Sequence, residues 1–242
     1  MAFAALVALS TWEIVTLLRV HASAPTDDDW AYADAAVRAG WRSGDLVVFA
    51  PAWMDPVGRE HLGDLLGITE AARMDAARYG AIWEVSSRGA SAPDADGPVD
   101  VDKSFGALRI RRHDHHAAKV TWDLGDRARL LEVGFTPRMC APLRPPATLD
   151  AGTVPLGGHL VVYAGLADFR DRRDNRAQAR IRVAVDGTIV AERLVGNDDG
   201  WAALPDVATA PGPHRVVFSS EAVVKPGEPV NLDLCVAAEA RQ

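Results

Sequence analysis

The run AQARIRVAV-DG-TIVAERLV, residues 177–195, decides how the C-terminal half of this chain is read. Ile181, Val183 and Val185 alternate with Arg180 and Arg182, the period of a strand with one buried and one wet face. Asp186-Gly187 between two such runs predicts a tight hairpin turn, whose central residues both need positive φ, and residues 189–195 supply the return strand. Working outward, residues 159–164 read as a buried strand, and 214–219 and 231–237 as two more, separated by Pro211-Gly212-Pro213 and Pro226-Gly227. Short strands punctuated by turns, with no helical period between them, predict an antiparallel β-sandwich of the jelly-roll or lectin-like kind.

The chain has 242 residues, 48% of them hydrophobic, enough for one large domain or two small ones. A formal net charge of −7 and a pI near 5.5 argue against a nucleic-acid partner, which would need a clustered basic footprint. Arg170, Arg172, Arg173 and Arg176 do cluster, but Asp168, Asp171 and Asp174 interleave with them. A self-neutralised, solvated loop and a ligand-facing edge both fit that pattern. Cys140 and Cys235 have neither metal-ligand spacing nor a Cys-x-x-Cys motif, and either form one disulfide in an exported domain or stay as separate thiols.

Residues 1–18 are apolar apart from Glu13 and a few small polar side chains, and as a helix would span roughly 27 Å, just enough for a bilayer core. Segment 1–22 is therefore read as a membrane anchor or signal segment. Ala22-Ser23-Ala24 keeps a cleaved signal peptide open, and Glu13 at mid-span keeps open a helix packed on the protein itself.

Residues 27–90 read as a small α/β unit. Asp27-Asp28-Asp29 precedes a helix carrying Trp30, Ala33 and Val37 on one face; residues 46–50 form a continuous apolar strand. Asp55-Pro56 opens a second helix with Asp55 as N-cap, Thr69 caps a third running through Arg78, and residues 82–85 form a second strand. Strand, helices, strand at this spacing is a βαβ crossover with parallel strands. Residues 91–104 read as a linker and 105–242 as the sandwich. The fold class is thus α+β: a βαβ unit, then an antiparallel, jelly-roll-like sandwich, with an apolar helix in front.

Ligands of such sheets sit beyond the carboxyl ends of the strands, here 51–55 and 86–88. No Gly-rich phosphate loop is present there, so no nucleotide cofactor is expected. Trp53, Asp55, Arg59, His61 and Arg88 are candidates for a sugar or phosphate pocket, although capping, packing and a wet helix face explain them equally well. In the sandwich, Asn197, Asp199 and Trp201 set amide and carboxylate groups beside an indole, the chemistry a pyranose calls for, against a plain turn followed by a core Trp. His113-Asp114-His115-His116 is read as an exposed hairpin turn and not as a metal site, because adjacent side chains on extended backbone point apart.

Residues 30–84, with the core GDLVVFAP at 44–51, resemble the soluble segment after the last transmembrane helix in membrane glycosyltransferases of the dolichyl-phosphate mannosyltransferase and aminoarabinose transferase type. Val154-Pro155-Leu156-Gly157 through Gly200-Trp201 resembles a β-sandwich attached to some bacterial members and, more loosely, carbohydrate-binding modules. Those enzymes carry their catalytic acids between early transmembrane helices, so no catalytic residue carries over. The resemblance implies a non-catalytic, membrane-tethered module on the extracytoplasmic (periplasmic) side, the glycan-recognising tail of a glycosyltransferase system. Its implied partners are a glycan or polyprenyl-phosphate sugar and a polytopic membrane protein. The alternative is a free-standing transferase or hydrolase using the α/β pocket.

Overall fold

The computed structural model describes residues 2–167, 178–223 and 232–242. The arginine cluster at 170–176 and the Pro226-Gly227 turn lie outside the described residues. The chain divides into two compact units: 1–67 with 79–117, and 68–78 with 118–242.

In the first unit, helix α1 (Ala2–Ala22) is followed by α2 (Asp27–Gly40), whose Thr26 cap accepts from the Asp29 N–H while Asp29 accepts from the Thr26 N–H. Two strands, β1 (Asp45–Ala50) and β2 (Ala81–Ser87), pair in parallel with Val47 opposite Trp83, as the crossover reading expected. Helix α3 is Asp55–Leu62. Two further strands complete the sheet: β3 (Val99–Phe105) and β4 (Leu108–Asp114), in the order β1-β2-β4-β3. The segment 91–104, expected as a linker, thus contains a strand of this sheet. The reason is local packing: Leu108 and Ile110 join Trp83, Val85, Phe49, Trp30 and Leu62 in one buried cluster on the helix-covered face.

Three expectations are corrected here. Asp55 is the first residue of α3 and not its cap, a position held by Met54, whose side chain makes no capping hydrogen bond. The helix expected from Thr69 to Arg78 is only α4 (Ile68–Ala71), and residues 68–78 belong to the second unit. His113 is a buried residue of β4 and not part of an exposed turn; His115 donates from Nδ1 to the Tyr79 carbonyl, 2.9 Å away, and His116 is exposed.

Apolar side chains of α1 stand in solvent, Trp12 and Leu17 at 67% and 69% exposure. Among the described residues no helix is long and apolar enough to cross a membrane, so a spanning segment over 1–18 finds no support here.

In the second unit the strands β5 (Val120–Asp123), β6 (Arg129–Val133), β7 (Thr136–Pro142), β8 (Ala147–Leu156), β9 (His159–Ala167), β10 (Gln178–Val185), β11 (Thr188–Val195), β12 (Ala202–Ala203), β13 (Val207–Ala208), β14 (Gly212–Val223) and β15 (Asp233–Arg241) form two antiparallel sheets. One has the order β11-β10-β14-β8; the other runs β12-β9-β6-β7-β15-β5, with β13 and β15 also pairing β9. Ala179, Ile181 and Val183 point inward with Val216 and Phe218, against Val162, Leu166, Leu234 and Val236 of the second sheet. The hairpin behaves as its alternation dictates: Asp186 and Gly187 have φ of 50° and 83°.

Cys140 and Cys235 form a disulfide between β7 and β15, their Cα atoms 5.7 Å apart. Strand alternation sets Cys235 on the face opposite Leu234 and Val236. It is fully buried, because that second face is covered too, with Met74, Val133 and Ala237 around the bridge.

Candidate functional site

The crevice of the first unit is built where its two parallel strands end. After β1 the chain makes a short 3-10 turn, Ala52–Met54, that buries Met54 and turns Trp53 outward, 54% exposed. The following helix can lie close to the strand because Gly58 has no side chain: a Cβ there would stand 2.2 Å from the Phe49 ring. Inside that first turn, Arg59 donates to both oxygens of Asp55, at 2.6 and 3.2 Å. One turn on, His61 stacks on Trp30 with ring centres 4.9 Å apart and planes 3° from parallel. The second strand ends at Ser87, whose hydroxyl donates to the Met54 sulfur. Arg88 and Gly89 follow at φ 54° and 72°, and Ala90 N–H donates to Ser87 C=O at 3.0 Å, the pattern of a type I′ turn.

Arg88 is thereby thrown over Trp53, its guanidinium carbon 5.5 Å from the ring centre, while an Nη donates to the Val20 carbonyl at the end of α1. A crevice of about 370 Å³ opens here, walled by Leu17, Val20, Pro25, Val57 and the two side chains. Next to it lies a polar hollow of about 230 Å³ lined by Ser86, Ser91, Ser104, Arg109 and Arg111, with Arg88 common to both. Of the five candidates in this unit, the crevice joins Trp53 and Arg88; Asp55 and Arg59 are spent on each other, and His61 on Trp30.

In the second unit, Asn197–Asp199 form a 3-10 turn in which Asp199 accepts the Gly196 N–H at 2.7 Å and faces Arg193 at 3.6 Å. Trp201 is half-buried. Its indole N–H donates to the Met74 carbonyl at 2.9 Å, its ring stacks on Tyr163 at 5.8 Å, and Arg138 lies over it at 5.5 Å. The donor that a sugar hydroxyl would use is already taken. This arrangement grips the segment 72–78, which is further held by Met139 N–H to Ala72 C=O and Arg138 to Arg73 C=O.

Two charged clusters escaped the sequence. Glu84, wholly buried in the middle of β2, accepts the Ala92 N–H at 2.6 Å, pairs with Arg111, and has His113 Nε2 at 3.6 Å. Tight register explains it: Glu84 lies opposite Arg111 on β4. In the second unit, Glu239 pairs with Arg78 and Arg241, and Arg241 also reaches Asp75 at 2.8 Å. Burial lowers the Arg241 pKa, but the Asp75 and Glu239 carboxylates outweigh it and the net shift is upward. The long-range partners are what the sequence hides: Glu84 and Arg111 lie on different strands, and Arg78 and Asp75 are far along the chain from Glu239 and Arg241. Among the described residues no group of His, Cys, Asp and Glu is placed to hold a metal ion.

No protein-family model matches the sequence, and no curated protein matches it. Among solved structures, the chain is similar to two from Clostridium perfringens ZmpB: CBM51-2 in complex with GlcNAc and INT domains (TM-score 0.35, 12% identity), and the M60 catalytic domain with CBM51-1 and CBM51-2 (TM-score 0.34, 11% identity). Each likeness covers 65% of this chain, but only 40% and 20% of those chains respectively. The chain spans less than half the length of either structure.

Proposed function

We propose that this chain is a non-catalytic module that recognises a glycan in the strand-end crevice of its first unit, with Trp53 as the platform. The observation that carries the reading is the exposed Trp53 indole beside Arg88 over an open crevice. A flat aromatic face suits the apolar face of a pyranose, and a guanidinium beside it supplies fixed donors to hydroxyls or anionic substituents. Asp55 and Arg59 are paired with each other outside the crevice lining, and neither is free to act as base or acid.

The same reading extends to setting. The Cys140–Cys235 bridge fits an oxidising, extracytoplasmic compartment. The exposed apolar side chains of α1 support attachment to a membrane surface. The resemblance of residues 30–84 supports work alongside a polytopic membrane glycosyltransferase, with polyprenyl-phosphate sugars among the ligands to try. The test is binding by nuclear magnetic resonance: saccharides titrated into ¹⁵N-labelled protein shift the Trp53 indole N–H, and Trp53→Ala abolishes binding. A saccharide library that leaves that resonance in place overturns the proposal.

A further inference from the structure

We infer that the saccharide taken at Trp53 bears an oxyanion, a carboxylate or sulfate, and that Arg88 is the residue that selects it; this rests on the glycan reading of the same crevice. Three independent observations converge on Arg88.

The first is backbone conformation. Arg88 sits at φ 54°, in the left-handed region, as the first of two such residues in a tight turn. Glycine, asparagine or aspartate is the residue expected there, and a bulky side chain in that region is a strained choice whose persistence points to use of the side chain.

The second is charge. Among the arginines lining the polar hollow, Arg109 is held by Asp102 with two hydrogen bonds and Arg111 by Glu84. Arg88 donates to a backbone carbonyl and lies on an indole, and no contact described for it is to a carboxylate. In a chain of net charge −7, a cation that among the described residues is held by a carbonyl and a π face, and by no carboxylate, is available to an anion.

The third is position. Arg88 lines both the crevice that holds Trp53 and the polar hollow beside it, and no acidic residue lines that hollow. A sugar ring on the Trp53 face can thus direct a carboxylate or sulfate toward the guanidinium, with the Ser91 and Ser104 hydroxyls in the same wall. The planar fork of a guanidinium matches both oxyanions in a bidentate manner, which an ammonium does not.

The experiment titrates methyl glucuronide, glucose 6-sulfate and methyl glucoside into the full chain at one fixed ionic strength, following the Trp53 indole resonance. The variant is Arg88→Gly, which relieves the left-handed strain and so keeps the turn. The expected result is that one or both acidic sugars bind at least about tenfold more tightly than the glucoside, and that Arg88→Gly brings all three to the same affinity; whichever acid is preferred names the oxyanion. Equal affinities for all three in the native chain, or an unchanged preference in Arg88→Gly, overturn the selection by Arg88 while leaving the glycan reading intact. That second outcome would assign Arg88 to holding the end of α1 through Val20. No shift with any sugar overturns the glycan reading, and this inference with it.

Discussion

The Arg88 guanidinium lies over the Trp53 indole at 5.5 Å from the ring centre, although the two residues are far apart in sequence. They meet because they follow the carboxyl ends of two strands that are parallel neighbours, with Ala50 opposite Ser86. An exposed aromatic covered by an arginine is worth about 0.5–1 kcal/mol at a surface position, too little to justify a strained turn by stability alone.

Trp53 is exposed and its ring caps no core, so Trp53→Ala is expected to abolish saccharide binding while changing unfolding free energy by less than about 1 kcal/mol. Urea unfolding beside the binding titration checks both halves. A larger loss of stability would make Trp53 a packing residue.

Trp201 is expected to behave in the opposite way. Its N–H satisfies the Met74 carbonyl and its ring packs on Tyr163, so Trp201→Ala should cost about 3 kcal/mol or more of stability. Trp201→Phe keeps much of the stacking and should lose only the hydrogen bond, about 1 kcal/mol. Comparable unfolding midpoints for the Ala variant and the native chain would refute the clamp.

The disulfide closes a loop of 95 residues in sequence separation, and Cys140→Ser with Cys235→Ser is expected to destabilise the protein by about 2–5 kcal/mol. The same downward shift in melting temperature should appear on adding a reductant to native protein. Thermal scans with and without reductant measure it.

Glu84 is buried against Arg111 and near His113. Glu84→Ala would strand the Arg111 charge and is expected to cost about 3–5 kcal/mol, whereas replacing the pair together by apolar residues should cost less. A double-mutant cycle on Glu84 and Arg111 reads the coupling directly.

Acid is expected to loosen the fold through particular carboxylates. The backbone N–H groups of Thr26 and Ala107 hold Asp29 below the ordinary range, Arg215 does so for Asp150, and His214 for Asp186. A carboxylate whose folded pKa is depressed contributes stability that is present above its unfolded value, near 4, and is lost as pH falls through the folded value. Chemical denaturation between pH 7 and pH 2.5 should show the midpoint falling below about pH 4, and Asp29→Asn should flatten part of that slope.

Much of this architecture is local information. Alternation of Ile181 and Val183 with arginines, and the Asp186-Gly187 turn, specify a hairpin because side chains on a strand alternate with a period of two and only certain residues accept positive φ. The parallel pairing of residues 45–50 with 81–87 follows from the length of the crossover between them. Trp53 and Arg88 were legible as candidates because strand ends are where such sheets leave room for a ligand. What the tertiary structure alone decided is the partner of each side chain. Leu108 and Ile110 alternate just as well in either unit, and only packing against Trp83 and Val85 assigns their strand to the first. Cys235 alternates outward by its own strand's period, yet it is buried because another part of its unit covers that face. In sequence Trp201 fits a sugar platform or a core residue, and its N–H bond to the Met74 carbonyl, 127 positions away, is a tertiary contact. A sequence period states which residues share a face; it carries no information about what, at long range, lies against that face.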